Sequence, residues 1–249
     1  MKYLGKKPAR HGAIKFKYQD YVKEVVHVPA AFGHVRSTIK WGELGNDMCS
    51  DCTIAGAAHE TMLWSRAAHQ YPMAAFTSEA VMETYQQLSG WNGQPDDPSD
   101  EGLDMQQVAE WRRTTGITDM AGITHTVHAY AAVSSVDQVI QATYLFGACG
   151  VGIQFPDSAS DQFDNKQPWT VVPHSKNTGG HYIPVVGRNS KGNLMCVTWG
   201  RLQAMTPDFL AQYMDEAVAY LSVDYLDSQG KSPEMLDLAA LNADLQALA

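Results

Sequence analysis

An α+β fold of two lobes is what this sequence predicts, helices first and an antiparallel sheet second, with a cleft between them. Three observations carry that reading. Apolar residues at helical spacing, punctuated by Gly and Pro, dominate before Gly150. Short β-rich runs dominate after it. Cys52 and His181 fall on opposite sides of this switch, each in a setting that suits a nucleophile and its base.

The elements follow in order. Residues 1–24 lack a periodic pattern and read as an extended basic arm, and the compact domain spans residues 25–225. Its helical lobe covers about 25–135 and its β lobe about 136–225. Cys52 to His69 predicts a helix dense in small residues, Ala55-Gly56-Ala57-Ala58 among them. Ser78 to Leu88 predicts a second, with Val81, Met82 and Tyr85 at helical spacing. Residues 89–102, rich in Gly, Pro, Asn and Asp, are a loop. Asp104 caps a helix from Met105 to Thr115 that Gly116 stops. Val136 to Phe146 is a further helix. Strands are expected at Val151–Phe155, Tyr182–Arg188, Leu194–Trp199 and Ala219–Asp224, with a short helix begun by Thr206-Pro207-Asp208 between the last two. Residues 226–249 form an acidic tail, in which Leu236 to Leu248 has a helical pattern.

Composition excludes several classes. The chain has 249 residues, 45% hydrophobic and 18% charged, enough for a sizeable core without global disorder. No apolar run approaches a membrane span, and Met1 to Lys17 has no apolar segment of a secretory signal. A cytoplasmic or virion-associated protein is expected. The net charge of −9 argues against nucleic-acid binding. Charge is uneven, however: residues 1–25 hold seven Lys/Arg against Asp20 and Glu24, a net +5. Residues 224–249 hold five acids against Lys231, a net −4. The ends are solvated termini, or they dock on a protein partner or a second copy of the chain.

Cys52 ends the run Asn46-Asp47-Met48-Cys49-Ser50-Asp51-Cys52 and opens the small-residue helix, where the free N–H groups and the dipole favour a thiolate. The bland alternative is a small buried hydrophobe. His181 opens a strand after Gly179-Gly180, which permit close backbone approach. His59 shares the helix face of Cys52 but lies about 10 Å along it, too far to serve as its base. Cys49 and Cys52 form a CxxC, yet Cys149 and Cys196 supply no second pair for zinc, and no βαβ context supports a redox motif. No metal or cofactor is expected. The acids of residues 96–104 lack the order of a calcium loop.

At these residues the chain resembles the papain-like cysteine peptidases. Asn46, Cys49 and Cys52 repeat the three-residue spacing of the family's oxyanion glutamine, second cysteine and nucleophile. His181 sits in a comparable strand, and Val197-Thr198-Trp199-Gly200 stands where the family has Asn-Ser-Trp-Gly. The resemblance covers roughly residues 30–225. It implies a papain-like two-lobed fold with a β-barrel-like second lobe, and a thiol hydrolase of peptide or amide bonds. Cys52 would be the nucleophile, His181 the base, Asn46 and the Cys52 amide the oxyanion site, and Trp199 the shield of His181. Two departures are the missing histidine-orienting Asn, replaced by Val197, and the shorter oxyanion residue. Thr198 or a backbone carbonyl would orient His181 instead. These departures also admit a degenerate fold used for binding or assembly, and the chain is similar overall to papain-like proteins encoded in tailed phages and prophages. About 45 residues precede the motif, which leaves no place for the family's long inhibitory propeptide.

Overall fold

The computed structural model describes residues 2–22, 26–35, 39–227 and 231–233. After a short helix α1 (Tyr18–Tyr21) and a two-residue strand β1 (Phe32–Gly33), the helical lobe holds α2 (Cys52–Ala67), α3 (Ser78–Ser89) and α4 (Met105–Thr114). A small hairpin, β2 (Ile117–Thr118) and β3 (Thr124–His125), leads into β4 (Val127–Val133). The second lobe follows with α5 (Val136–Phe146), β5 (Cys149–Pro156), α6 (Asp157–Asp164), β6 (Asn177–Arg188), β7 (Leu194–Thr198), β8 (Arg201–Met205), α7 (Pro207–Tyr213) and β9 (Met214–Ser222). The helical pattern from Leu236 to Leu248 lies outside the described residues. Among the described residues no helix is long and apolar enough to cross a membrane.

Local chemistry sets the helix ends. Thr77, Asp104, Ser135 and Thr206 each accept a backbone N–H from the first turn of their helix. Gly90 and Gly147 stop α3 and α5 in the left-handed conformation that only glycine adopts without strain.

The sheet is antiparallel and seven-stranded, in the order β4-β9-β5-β6-β7-β8, with β1 added against β6. Its centre carries the site: in β6, His181 pairs with Ile153 of β5, and β7 runs on the other side. Trp199 and Gly200 make the tight turn from β7 to β8, both at positive φ (41° and 75°). Besides the short α1, β1, β2 and β3, three longer elements escape sequence reading. In β4, Ala129, Ala131 and Ala132 have low strand propensity, and pairing with β9 overrides it. β8 (Arg201-Leu202-Gln203-Ala204-Met205) carries few strand formers but pairs residue by residue with β7. The charged and polar sequence of α6 buries only Ala159 and Phe163. The predicted strand at Ala219–Asp224 in fact begins at Met214 and ends at Ser222, because its first half is pinned by β5.

The core explains why α2 needs small residues. Thirteen of its 16 residues are buried, on all sides of the helix. A Cβ on Gly56 would stand 2.3 Å from the Tyr182 ring, so the helix lies directly on β6. Trp64 adds a hydrogen bond of 2.8 Å to the Phe146 carbonyl. One apolar cluster fills the space between the sheet and α5 and α7, and a second lies where α2 meets the sheet. A third, with Ile54, Val81 and Tyr85, fills the helical lobe.

Candidate active site

Cys52 is the first residue of α2 and is 2% exposed. Its sulfur accepts the Tyr182 backbone N–H at 3.4 Å, so the residue after His181 touches the thiol. The same tyrosine reaches further along α2: its phenol donates to Glu60 Oε1 at 2.8 Å. Glu60 also pairs with Arg112 of α4, whose guanidinium lies 4.2 Å from the Tyr220 ring centre. All of these groups are buried.

His181 is held from two sides. Its Nε2 is 2.7 Å from Thr198 Oγ1, and its ring stacks on Trp199 with centres 4.4 Å apart at 11°. Thr198 is therefore the ring's hydrogen-bond partner, one residue beyond Val197, which is buried and apolar. His181 Nδ1 is buried and has no hydrogen-bond partner. With Nε2–H donated to Thr198, the free lone pair on Nδ1 is the atom able to take a proton.

Asn46 lines a small recess together with Cys52, Thr198 and Trp199. Its amide Nδ2 is turned to the Cys49 carbonyl at 3.3 Å. His59 lines the same recess, but its Nε2 is engaged by the Trp41 and Gly42 carbonyls at 3.2 and 3.0 Å. All four cysteines are free and buried. Asp100 of the acidic loop turns inward, receiving the Ser50 N–H at 3.1 Å and the Tyr85 hydroxyl at 2.5 Å, and so ties the loop to the approach to Cys52. Among the described residues no group of three His, Cys, Asp or Glu is placed to hold a metal.

The cleft is not open. Residues 3–7 run through it between the lobes. The Tyr3 N–H donates to the Asn46 carbonyl at 3.2 Å, and Trp199 Nε1 donates to the Tyr3 carbonyl at 3.4 Å. Gly5 follows Leu4, its backbone near enough to Cys52 to lower the thiol pKa, and its carbonyl accepts the Leu103 N–H at 2.8 Å. A Cβ on Gly5 would lie 1.8 Å from the Ser50 oxygen. The Lys6 N–H donates to the Gly180 carbonyl at 3.0 Å and the Lys7 N–H to the Leu103 carbonyl at 2.9 Å. The Lys6 ammonium is wholly buried, 2.9 Å from both Asp215 and Glu216 of β9. A five-residue segment of the N-terminal arm thus fills the cleft, docked on its own chain where solvent or a partner was the expectation.

Burial sets the electrostatics. It pushes the Cys52 thiol up to about 12; the hydrogen bond from Tyr182 opposes this and buried Asp51 adds to it. Burial alone drives His181 down to about 3. Under this cover burial favours the neutral form of each group, whereas the helix-start position of Cys52 taken alone favours a thiolate. Sequence reading missed the arm because most of its contacts use backbone groups, which any residue carries, and the acids that hold Lys6 lie more than 200 positions away.

No family model matches the sequence, and no curated protein matches it. Solved structures do. Xylellain, a cysteine protease from Xylella fastidiosa, superposes with a TM-score of 0.68 over 89% of this chain and 97% of its own, at 12% identity. Procathepsin B S9 from Trypanosoma congolense gives 0.61 over 88% and 86%, at 10% identity. Digestive procathepsin L 3 of the Tenebrio molitor larval midgut gives 0.58 over 86% and 75%, also at 10%. With a helix-borne cysteine set against a strand-borne histidine, and these neighbours superposing over 86–89% of it, the chain has the papain-like fold.

Proposed function

We propose that the chain is a cysteine hydrolase of peptide or other amide bonds, kept closed by residues 3–7. One observation supports it above the rest: the sulfur of Cys52, at the start of α2, is hydrogen-bonded by the residue next to His181, and Thr198 and Trp199 fix that histidine's ring. Two of the similar structures are named as proforms, which suits a cleft filled by an N-terminal segment.

The chemistry follows from the groups. Once the segment leaves, water returns to the cleft, the thiol pKa falls and that of the imidazole rises. His181 Nδ1 takes the thiol proton, and the sulfur attacks the carbonyl carbon. The oxyanion is received by the Cys52 N–H and by the Asn46 amide, after it turns from Cys49. His181 returns the proton to the leaving amine, and water then cleaves the thioester.

The test is labelling of all four cysteines by iodoacetamide, read by peptide mass mapping, in the full chain with Leu4→Glu to loosen the segment. Cys52 should react at least about tenfold faster than Cys49, Cys149 or Cys196, and His181→Ala should abolish that lead. Equal rates at all four would instead favour a degenerate fold used for binding.

A further inference from the structure

We infer that the pocket now holding the Lys6 side chain is the one that selects the substrate, and that it takes a lysine or arginine side chain. This rests on the hydrolase reading and names its substrate class: peptides with a cationic residue next to the one that lies over Cys52.

The pocket is built around a cation. Lys6 Nζ, with no solvent exposure, is 2.9 Å from Asp215 Oδ2, 2.9 Å from Glu216 Oε1 and 2.9 Å from the Lys7 carbonyl. Gly152 of β5 makes the room: a Cβ there would stand 2.0 Å from Lys6 Cε and 2.8 Å from Met105 Sδ. The residue at position 152 therefore has to be glycine for a long side chain to pass. Gln154 steadies the floor by donating to Asp215 Oδ2 at 2.5 Å. Asp215 Oδ1 is buried and has no partner, leaving an acceptor that the second N–H of a guanidinium can use.

The main chain around the pocket is equally general. Lys6 donates to the Gly180 carbonyl, and its two neighbours bracket Leu103 through its N–H and carbonyl. Gly180 lets the backbones meet, since a Cβ on it would be 2.2 Å from the Lys6 oxygen. Any extended peptide can use such edge groups. When the segment departs, two adjacent carboxylates face an empty pocket, and two like charges in a half-buried site favour whichever ligand brings a positive one. A leucine side chain would stop short of the pocket floor and leave both carboxylates unpaired.

The experiment measures binding apart from turnover. In the full chain carrying Lys6→Ala and Cys52→Ser, fluorescence anisotropy would follow labelled acetyl-Lys-Gly-amide peptides and their Arg, Leu and Glu counterparts. The Lys and Arg peptides should bind at least about tenfold more tightly than the Leu peptide, and the Glu peptide most weakly. Adding Asp215→Asn and Glu216→Gln should shrink that preference to within about twofold. Leu binding as well as Lys, or a preference that survives loss of both acids, overturns the pocket assignment. If Lys6→Ala does not fold, Leu4→Glu loosens the segment with the pocket intact and gives the same comparison. Iodoacetamide labelling of Cys52 in the Lys6→Ala chain keeps the two readings apart. A reactive Cys52 without cation preference overturns the pocket alone; a cation preference with an unreactive Cys52 overturns the hydrolase alone.

Discussion

Replacing Lys6 by Met removes the charge and keeps the length of the side chain, so it asks what holds the cleft shut. Four main-chain hydrogen bonds dock residues 3–7, each contributing about 1 kcal/mol net. The buried ammonium between two carboxylates adds about 3 kcal/mol, and Leu4 against Gly179 about 1.5 kcal/mol. Ordering the five residues costs about 7 kcal/mol. The balance is about 1–2 kcal/mol, so the closed form outnumbers the open by about 5–30-fold. Loss of the ammonium reverses the sign. Cys52 labelling by iodoacetamide should then rise at least about tenfold, helped further as the thiol loses the burial that holds its pKa near 12. Global stability in urea should fall by no more than about 1–2 kcal/mol, because the freed carboxylates can reach water. The opposite pattern would refute the reasoning. An unchanged labelling rate with a loss of about 3–5 kcal/mol would mean that the segment cannot leave and the acids stay buried and unpaired.

Further outcomes follow from the same structure. Thr198→Val deprives His181 Nε2 of its partner and, in the Lys6→Met background, should slow Cys52 labelling about tenfold, with Thr198→Ser restoring it. Gly56→Ala drives a methyl into the Tyr182 ring and should cost about 1–3 kcal/mol in urea unfolding. Glu60→Gln leaves the Arg112 charge buried without its partner and should cost about 3–5 kcal/mol by the same measurement. At His125, burial opposes the charged ring, but the hydrogen bond and charge of Asp224 at 2.9 Å, with Asp119 behind, raise its pKa. A raised folded pKa stabilises fully below the unfolded value near 6.5 and is lost as pH climbs through the folded one. The stability gap between the wild type and His125→Gln should therefore be larger at pH 6 than at pH 9.

The sequence revealed what side chains announce. Cys52 and His181 were legible because helix-start chemistry and a glycine-led strand are local signals; α2 was legible from its run of small residues, and α3, α4 and α5 from periodicity and end signals. The orienting role of Thr198 was one of two options on sequence grounds, since register decides which side of β7 faces the ring. The alanines of β4 and the short run of β8 gave no local signal; their neighbours in the sheet make them strands. Lys6 was countable only as one of seven basic residues near the N-terminus. That it is buried depends on Asp215 and Glu216, more than 200 positions away, and nothing in the local run around it points there.

Tyr182 grips α2 twice, by its backbone at Cys52 and by its phenol at Glu60, eight residues further along the helix. Eight residues span about 12 Å, a little over two turns. One point of attachment would let the helix swivel over the strand; two fix an axis. The lobes can therefore part at the rim, where residues 3–7 enter and leave, without the sulfur sliding past the histidine. A substrate that wedges the cleft open meets a nucleophile whose aim is set from behind, by a hydroxyl and a carboxylate it never touches.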